Sequence, residues 1–374
     1  ECRQALESIN PLAWDSEDVK MMRFSALMND FLVPVNNSLI GPDSVYGTRE
    51  GMKQRANQEH HVMSALLKHL DMDPTFLKRQ LTHEDGNWLE VLHGKLCSLI
   101  PKAFRKVHLG TPTEEEIAII ASNSRKALKA AESTDASRAR CINNDKLVAN
   151  APRPWRERGR IAENMFHFQD LVIDPLQHQV SFAIPSEAAL EGIGQHGPIV
   201  EVGAGTGYWT AVLQARGIDA IAYDIVPPND AQSNGFFSHT YTSVLRGDGR
   251  ELFSSKNDEG AALSRRALLI VWPNNADRED NAHLEDSDDI IRPIWDADCL
   301  SCYIDAGGNT VIYVGEREER IEVIDGAQSD CGMSSSRRFQ QLLQEKFELI
   351  EQYDCPGWPT QEDDVTVWRR SEQR

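Results

Sequence analysis

The chain has 374 residues, 40% of them hydrophobic and 26% charged, which supplies enough apolar material for a substantial core and rules against global disorder. Its formal net charge of −19 arises almost wholly beyond residue 150, so the C-terminal part is a poor binder of phosphate backbones and better suited to small molecules or cationic partners. No apolar stretch approaches the roughly 18 residues of a membrane span, and the seven cysteines, odd in number and scattered, fit reduced thiols better than a disulfide framework. These features point to an intracellular protein, cytoplasmic by default. The N-terminal "ECRQALESIN" has neither a signal pattern nor an initiator Met, so a removed presequence and an organelle are not excluded.

Residues 1–131 carry helical periodicity and almost no strand-like alternation. The segments "SEDVKMMRFSALMNDFL", "REGMKQRANQEHHVMSALLKHL" and "GNWLEVLHGKLCSLI" place apolar residues three and four apart. "TPTEEEIAIIASNSRKALKAA" opens with a capping box, Thr113 with Glu116, and gathers its cations toward the far end. An all-α domain or helical cap is expected there. "EHH" at Glu59–His61 lacks metal-ligand spacing on one helical face and reads as incidental. The polar stretch 132–160, with its Pro-Arg-Pro-Trp turn, reads as a linker, leaving a second domain at 161–374.

From about residue 195 strand-like runs alternate with helical ones. "PIVEVG", "DAIAYD", "YTSVLRGD", "ALLIVWP", "NTVIYVGE", "FELIEQYD" and "DVTVWRR" read as seven strands, several apolar on both faces. Helical patterns such as "YWTAVLQARG" and "SSRRFQQLLQEK" lie between them. This rhythm predicts an α/β domain with a mainly parallel sheet covered on both faces. Only the loop "CPGWPTQED" separates the last two runs, which are therefore expected to pair as an antiparallel hairpin. Cys299 and Cys302 fall within a helical pattern. With Cys331 and Cys355 they match no compact zinc module, so no metal is expected.

The first strand runs into "IVEVGAGTGYW". Dinucleotide sites need G-x-G-x-x-G, but Gly203, Gly205 and Gly207 alternate, and Tyr208 stands where the third glycine of that pattern belongs. A phosphate loop fails too, since no Gly-Lys-Ser/Thr follows. What remains is E-x-G-x-G-x-G with Glu201 inside the strand. Asp224 then ends the second strand, in "AIAYDIVPP", where a carboxylate can accept ribose hydroxyls. Asp248 follows the third, in "LRGDGR".

Together these features resemble the class I, Rossmann-like S-adenosylmethionine-dependent methyltransferases over residues 160–370. "FAIPSEAAL", the Trp-Pro after the fourth strand and the closing "DVTVWRR" resemble, more narrowly, a branch of that superfamily from fungi, algae and other eukaryotic microbes, which brings no established substrate with it. The resemblance implies a seven-stranded, mainly parallel methyltransferase sheet with an antiparallel C-terminal hairpin, and S-adenosylmethionine as cofactor. It also implies that Glu201, Gly203, Ala204, Gly205, Gly207, Tyr208, Asp224, Ile225, Gly247, Asp248, Gly249 and Trp272 surround that cofactor, Asp248 at the adenine amino group.

Acceptor candidates come from the segments that reach the carboxyl ends of the strands. Enzymes methylating exocyclic or amide nitrogens often carry Asp/Asn-Pro-Pro-aromatic after the fourth strand; here Trp272-Pro273-Asn274-Asn275 stands instead, which puts nucleobase and glutamine-amide methylation in doubt. Trp272 lines the pocket or stacks on a cation, or else caps the sheet as a core residue. Asn274 orients substrate or merely makes a turn. Glu316 ends the fifth strand as a candidate base or anchor. His167 and His178 flank "FQDLVIDPLQ" as further candidates, against the structural role that most histidines play. Tyr208 and Trp209 cover the cofactor, or Trp209 packs the first helix into the core. The acid-rich "NADREDNAHLEDSDD" is a lid attracting an amine or a solvated loop.

The expected function is methyl transfer to a small-molecule amine, oxygen or sulfur nucleophile. The helical domain would act as lid, docking platform or homo-oligomer contact. Two alternatives stay open: a protein or RNA methyltransferase docking through that domain, and a catalytically silent binding or assembly subunit.

Overall fold

A computed structural model of the chain describes residues 23–24, 26–32, 49–99, 168–228, 237, 239–253, 258–273, 295–317, 323–324, 327–328, 334–358, 361 and 363–371. The described helices are α1 (Arg49–His69), α2 (Trp88–Leu99), α3 (Asp174–Gln179), α4 (Glu187–Gly194), α5 (Tyr208–Ala215), α6 (Gly249–Leu252), α7 (Asp258–Leu263), α8 (Trp295–Asp305) and α9 (Arg337–Lys346). The strands are β1 (Ile199–Val202), β2 (Ala220–Asp224), β3 (Val244–Arg246), β4 (Ala267–Val271), β5 (Thr310–Gly315), β6 (Val323–Ile324), β7 (Ala327–Gln328), β8 (Phe347–Asp354) and β9 (Asp364–Arg370).

The seven runs read as strands form one sheet in the order β3-β2-β1-β4-β5-β9-β8. Neighbours among β1 to β5 are parallel, while β9 lies antiparallel between β5 and β8. The protein is thus α/β, with a mostly parallel, Rossmann-like sheet and an antiparallel C-terminal hairpin. A second, two-stranded pairing of β6 with β7 is not apparent from the sequence.

Strand periodicity divides the core between the two faces. Ile199, Leu269, Ile312 and Val314 point into one cluster, whereas Val200, Val202, Leu268, Ile270 and Val311 point into the other. Every residue of β5 is buried, which is why its sequence reads as a continuous apolar run. The second cluster is closed by α8 and α9 through Ala297, Leu300, Tyr303, Phe339 and Leu343. Serine caps start two of the covering helices. Ser186 accepts the Ala189 N–H at 3.2 Å at α4, and Ser336 accepts the Phe339 N–H at 3.1 Å at α9.

The first cluster reaches beyond α4 and α5 into the N-terminal part. Val62, Met63, Leu66 and Leu67 of α1 and Trp88, Leu89, Leu92 and Leu96 of α2 are buried in the same core as Ile199, Tyr208 and Trp209. Their three- and four-residue spacing puts them on one stripe of each helix. The helix expected after Thr113 and the linker at 132–160 lie outside the described residues. No described helix is long and apolar enough to cross a membrane.

In chain order the sheet grows from β1 through β2 to β3 on one side, then returns to β4 on the other. The carboxyl ends of β1 and β4 therefore flank a switch point, where open α/β sheets bind ligands.

Candidate functional site

A cleft enclosing about 1070 Å³ of empty space, its open mouth included, lies at this switch point. Its lining comes from the ends of β1, β2, β3 and β4, the residues before α4, and the start of α8. The glycine turn is its floor. Gly203, Gly205 and Gly207 have φ of +72°, +52° and +69°, a region that costs a side-chain-bearing residue about 1–2 kcal/mol, which explains their alternation. A Cβ on Gly203 would stand 2.6 Å from the Trp295 ring, and one on Gly205 2.5 Å from the Phe237 ring.

The turn is held by the residues that the sequence singles out. Glu201 is buried and accepts both the Thr210 N–H, at 3.0 Å, and the Thr210 hydroxyl, tying β1 to the first turn of α5. Burial, against the two Thr210 hydrogen bonds and with help from Asp224, raises its pKa to about 7. Asp224 accepts the Gly205 N–H and the Val226 N–H, each at 2.9 Å, and burial pushes its pKa up against those two bonds. Each of its oxygens retains acceptor capacity for a ribose hydroxyl.

Asp248 behaves oppositely. Its carboxylate pairs with the Arg250 guanidinium and accepts the Arg250 N–H at 3.0 Å, and the Arg250 hydrogen bonds hold its pKa low. Asp248 does reach the cleft, but in company with Arg250, the last residue of "LRGDGR", to which sequence reasoning gives no role. Ala204, Ile225, Gly247, Gly249 and Trp272 also line the cleft. Gly205 and Gly207 shape the turn without being lining residues themselves.

Tyr208 and Trp209 line the cleft while serving chiefly as packing. Tyr208 meets Trp88 edge-on at 6.0 Å between ring centroids, Tyr241 at 5.2 Å, and donates to Asn87 Oδ1 at 3.4 Å. Trp209 is 1% exposed and its indole N–H donates to Ser181 Oγ at 3.1 Å. α5 is thereby bolted to α2 and to the segment before α4.

Trp272 combines three constraints. Its φ is +47°, its backbone N–H donates to the Val314 carbonyl at 2.9 Å, and its indole N–H donates to Asp363 Oδ1 at 2.7 Å. Left-handed backbone at a tryptophan persists only where the surroundings over-determine it, and such outliers concentrate at ligand sites. The indole stacks on Phe182 with centroids 5.8 Å apart and planes 18° apart, and Phe182 meets Phe237 nearly perpendicularly at 6.0 Å.

Glu316 does not sit at the cleft lining. It is buried beyond β5, where its N–H donates to Ser334 Oγ at 2.8 Å and its carbonyl accepts from Tyr313 Oη at 2.9 Å and Gln340 Nε2 at 3.2 Å. Gly315, the last residue of β5, has a φ of +153° and packs so closely on Ser334 that a Cβ there would clash with the Ser334 Oγ. His178 stands behind the aromatic wall. Its Nδ1 lies 3.1 Å from Glu59 Oε1, and its ring meets the edge of Phe182 at 6.2 Å. Glu59 therefore has a structural task, contrary to the reading of "EHH" as incidental. His167, Asn274, Asn275, Cys331 and the acid-rich stretch after Pro273 lie outside the described residues. Cys299 is buried in α8 against Gly249, and Cys302 donates to the Arg250 carbonyl at 3.2 Å.

Phe182, Phe237, Trp295 and Arg250 are lining residues that sequence reasoning passed over. Phe182, Phe237 and Trp295 are isolated along the chain and only the fold brings them to one cleft, whereas Arg250 lies two residues after Asp248 in "LRGDGR". No protein-family profile matches the chain, and no curated protein matches it.

Proposed function

We propose that the protein is an S-adenosylmethionine-dependent methyltransferase acting on a small molecule, with the cleft over the glycine turn as its site. The carrying observation is the joint placement of Glu201, the three left-handed glycines, Asp224 and Asp248 along the ends of three adjacent strands, in the order that the resemblance implies. The C-terminal hairpin, with β9 antiparallel beside β5, agrees with the same reading.

The donor set suits the cofactor. Asp224 would hold the ribose diol, Asp248 with Gly247 and Ile225 the adenine, and Glu201 with the turn's backbone the amino-acid portion. Bound S-adenosylmethionine supplies an electrophilic methyl group on a sulfonium. This chain's residues then align an acceptor beside it and exclude water, which is where most of the rate gain in such a displacement resides. Trp272 and Phe182 line the β4 side of the cleft, across β1 from Asp224, and so face the acceptor's half.

The test is calorimetry with S-adenosylmethionine and S-adenosylhomocysteine, followed by a metabolite-pool screen for methyl transfer. Micromolar binding abolished in Asp224→Ala supports the reading. Absence of binding by the folded full chain overturns it.

A further inference from the structure

Aromatic rings meet where the β4 side of the cleft approaches the glycine turn: Trp272 and Phe182 on the β4 side, and Phe237 against Gly205. Phe182 and Trp272 are stacked on each other, so no slot is left between them for a flat ring, and Phe237 stands at 87° to Phe182. Parallel faces with a gap select planar ligands, whereas faces meeting at a corner enclose a rounded group. Trp272's only hydrogen-bond donor beyond its backbone is spent on Asp363, so its ring contributes π surface to the cleft. Val180, Val271 and Pro273 complete an apolar neighbourhood at the same end.

The charge balance has one sign. Among the described lining residues the one cation, Arg250, is already paired by Asp248, Asp224 adds a carboxylate, Glu201 becomes one only as pH rises to about 7, and the chain as a whole carries −19. Fields of this kind concentrate cations in a cleft. A corner of π faces within it is the arrangement that attracts an onium group through the ring quadrupoles.

We propose that Phe182, Trp272 and Phe237 form an onium box that selects an alkylamine acceptor, a tertiary amine that leaves as a quaternary ammonium. This rests on the methyl-transfer reading of the cleft. The nitrogen lone pair forms the new N–C bond while the C–S bond breaks with its electron pair going to sulfur. The amine arrives as its ammonium and gives its proton to solvent before that attack; no further proton leaves, and the positive charge passes from sulfur to nitrogen against the aromatic faces. The Glu59–His178 pair at 3.1 Å, edge-on behind Phe182, holds the wall from the outside.

The experiment compares choline with its uncharged isostere 3,3-dimethylbutan-1-ol, and with indole as a flat probe, by calorimetry on the full chain saturated with S-adenosylhomocysteine. Choline is expected to bind at least about tenfold more tightly than the isostere. Phe182→Leu should abolish that preference while S-adenosylhomocysteine affinity stays within about twofold, and Phe182→Tyr should keep it. Equal binding of choline and isostere, or tighter binding of indole, overturns the box. Should Phe182→Leu fail to fold, Phe237→Leu and the wild-type probe comparison carry the decision. Choline preference without any S-adenosylhomocysteine binding would sink the methyltransferase reading and leave the box standing. Cofactor binding without choline preference would do the reverse.

Discussion

At Glu201 a carboxylate is buried beneath the glycine turn, and its raised pKa of about 7 means that the native state keeps a proton which the unfolded chain releases near 4.5. Stability from this group is therefore fully present below pH 4.5 and lost as pH rises to about 7. Glu201→Gln should gain on the wild type across that window, by on the order of 3 kcal/mol, in urea unfolding curves recorded from pH 4 to 8. A difference that stays flat over the window tells against a buried titrating Glu201. Asp224 has two tasks, since it also anchors Gly205 and Val226. Asp224→Ala should cost about 1–3 kcal/mol of stability besides weakening cofactor binding, through backbone donors left without their acceptor. An unchanged urea midpoint would restrict Asp224 to ligand contact.

The elements show how glycine can serve opposite ends. Gly207 caps α5 at φ +69°, and a Cβ there would lie 2.9 Å from Val244 Cγ2 and 3.0 Å from Thr242 Cγ2. Gly94 lies inside α2 with nothing within 4 Å of its Cβ direction. Gly207→Ala is therefore expected to lower stability by about 1–3 kcal/mol, and Gly94→Ala to raise it by about 0.5–1 kcal/mol. Thermal unfolding of the two variants checks the pair, and shifts of equal sign would contradict the assigned backbone conformations. Both glycines sit in segments that were legible as helix starts or interiors. Their environments were not, because a sequence does not say what packs against a Cα.

Across the whole molecule, the buried Glu201 and the half-buried His239 oppose each other. His239 has its pKa lowered to about 4, by burial first and then by the nearby charges of Lys78 and His60. The unfolded chain binds its proton at 6.5, so this histidine's contribution is present above pH 6.5 and is lost as pH falls toward 4. Glu201 loses stability in the other direction over a nearly coincident range. Wild-type stability should thus change little from these two groups between pH 5 and 6.5, while His239→Gln exposes the Glu201 slope. Acidification that hurts His239→Gln as much as the wild type would remove His239 from this account. Tyr241 edges against both His239 and Tyr208, so the balance spans the N-terminal helices and the sheet.

The seven strands, their helical partners, the closing hairpin and the glycine turn were all legible in the sequence. Each depends on local periodicity or on a spacing within a few residues, and these survive in one dimension. Glu201, Asp224 and Asp248 were legible for the same reason, since the strand ends place them. The tertiary structure alone decided that Glu316 donates its N–H to Ser334 and that Glu59 reaches His178 across 119 residues. It alone assembled Phe182, Phe237, Trp272 and Trp295 around one cleft. Aromatic side chains far apart in sequence carry no periodic signal, and which of them meet depends on the strand order, which brings β4 beside β1 and leaves the switch point between them.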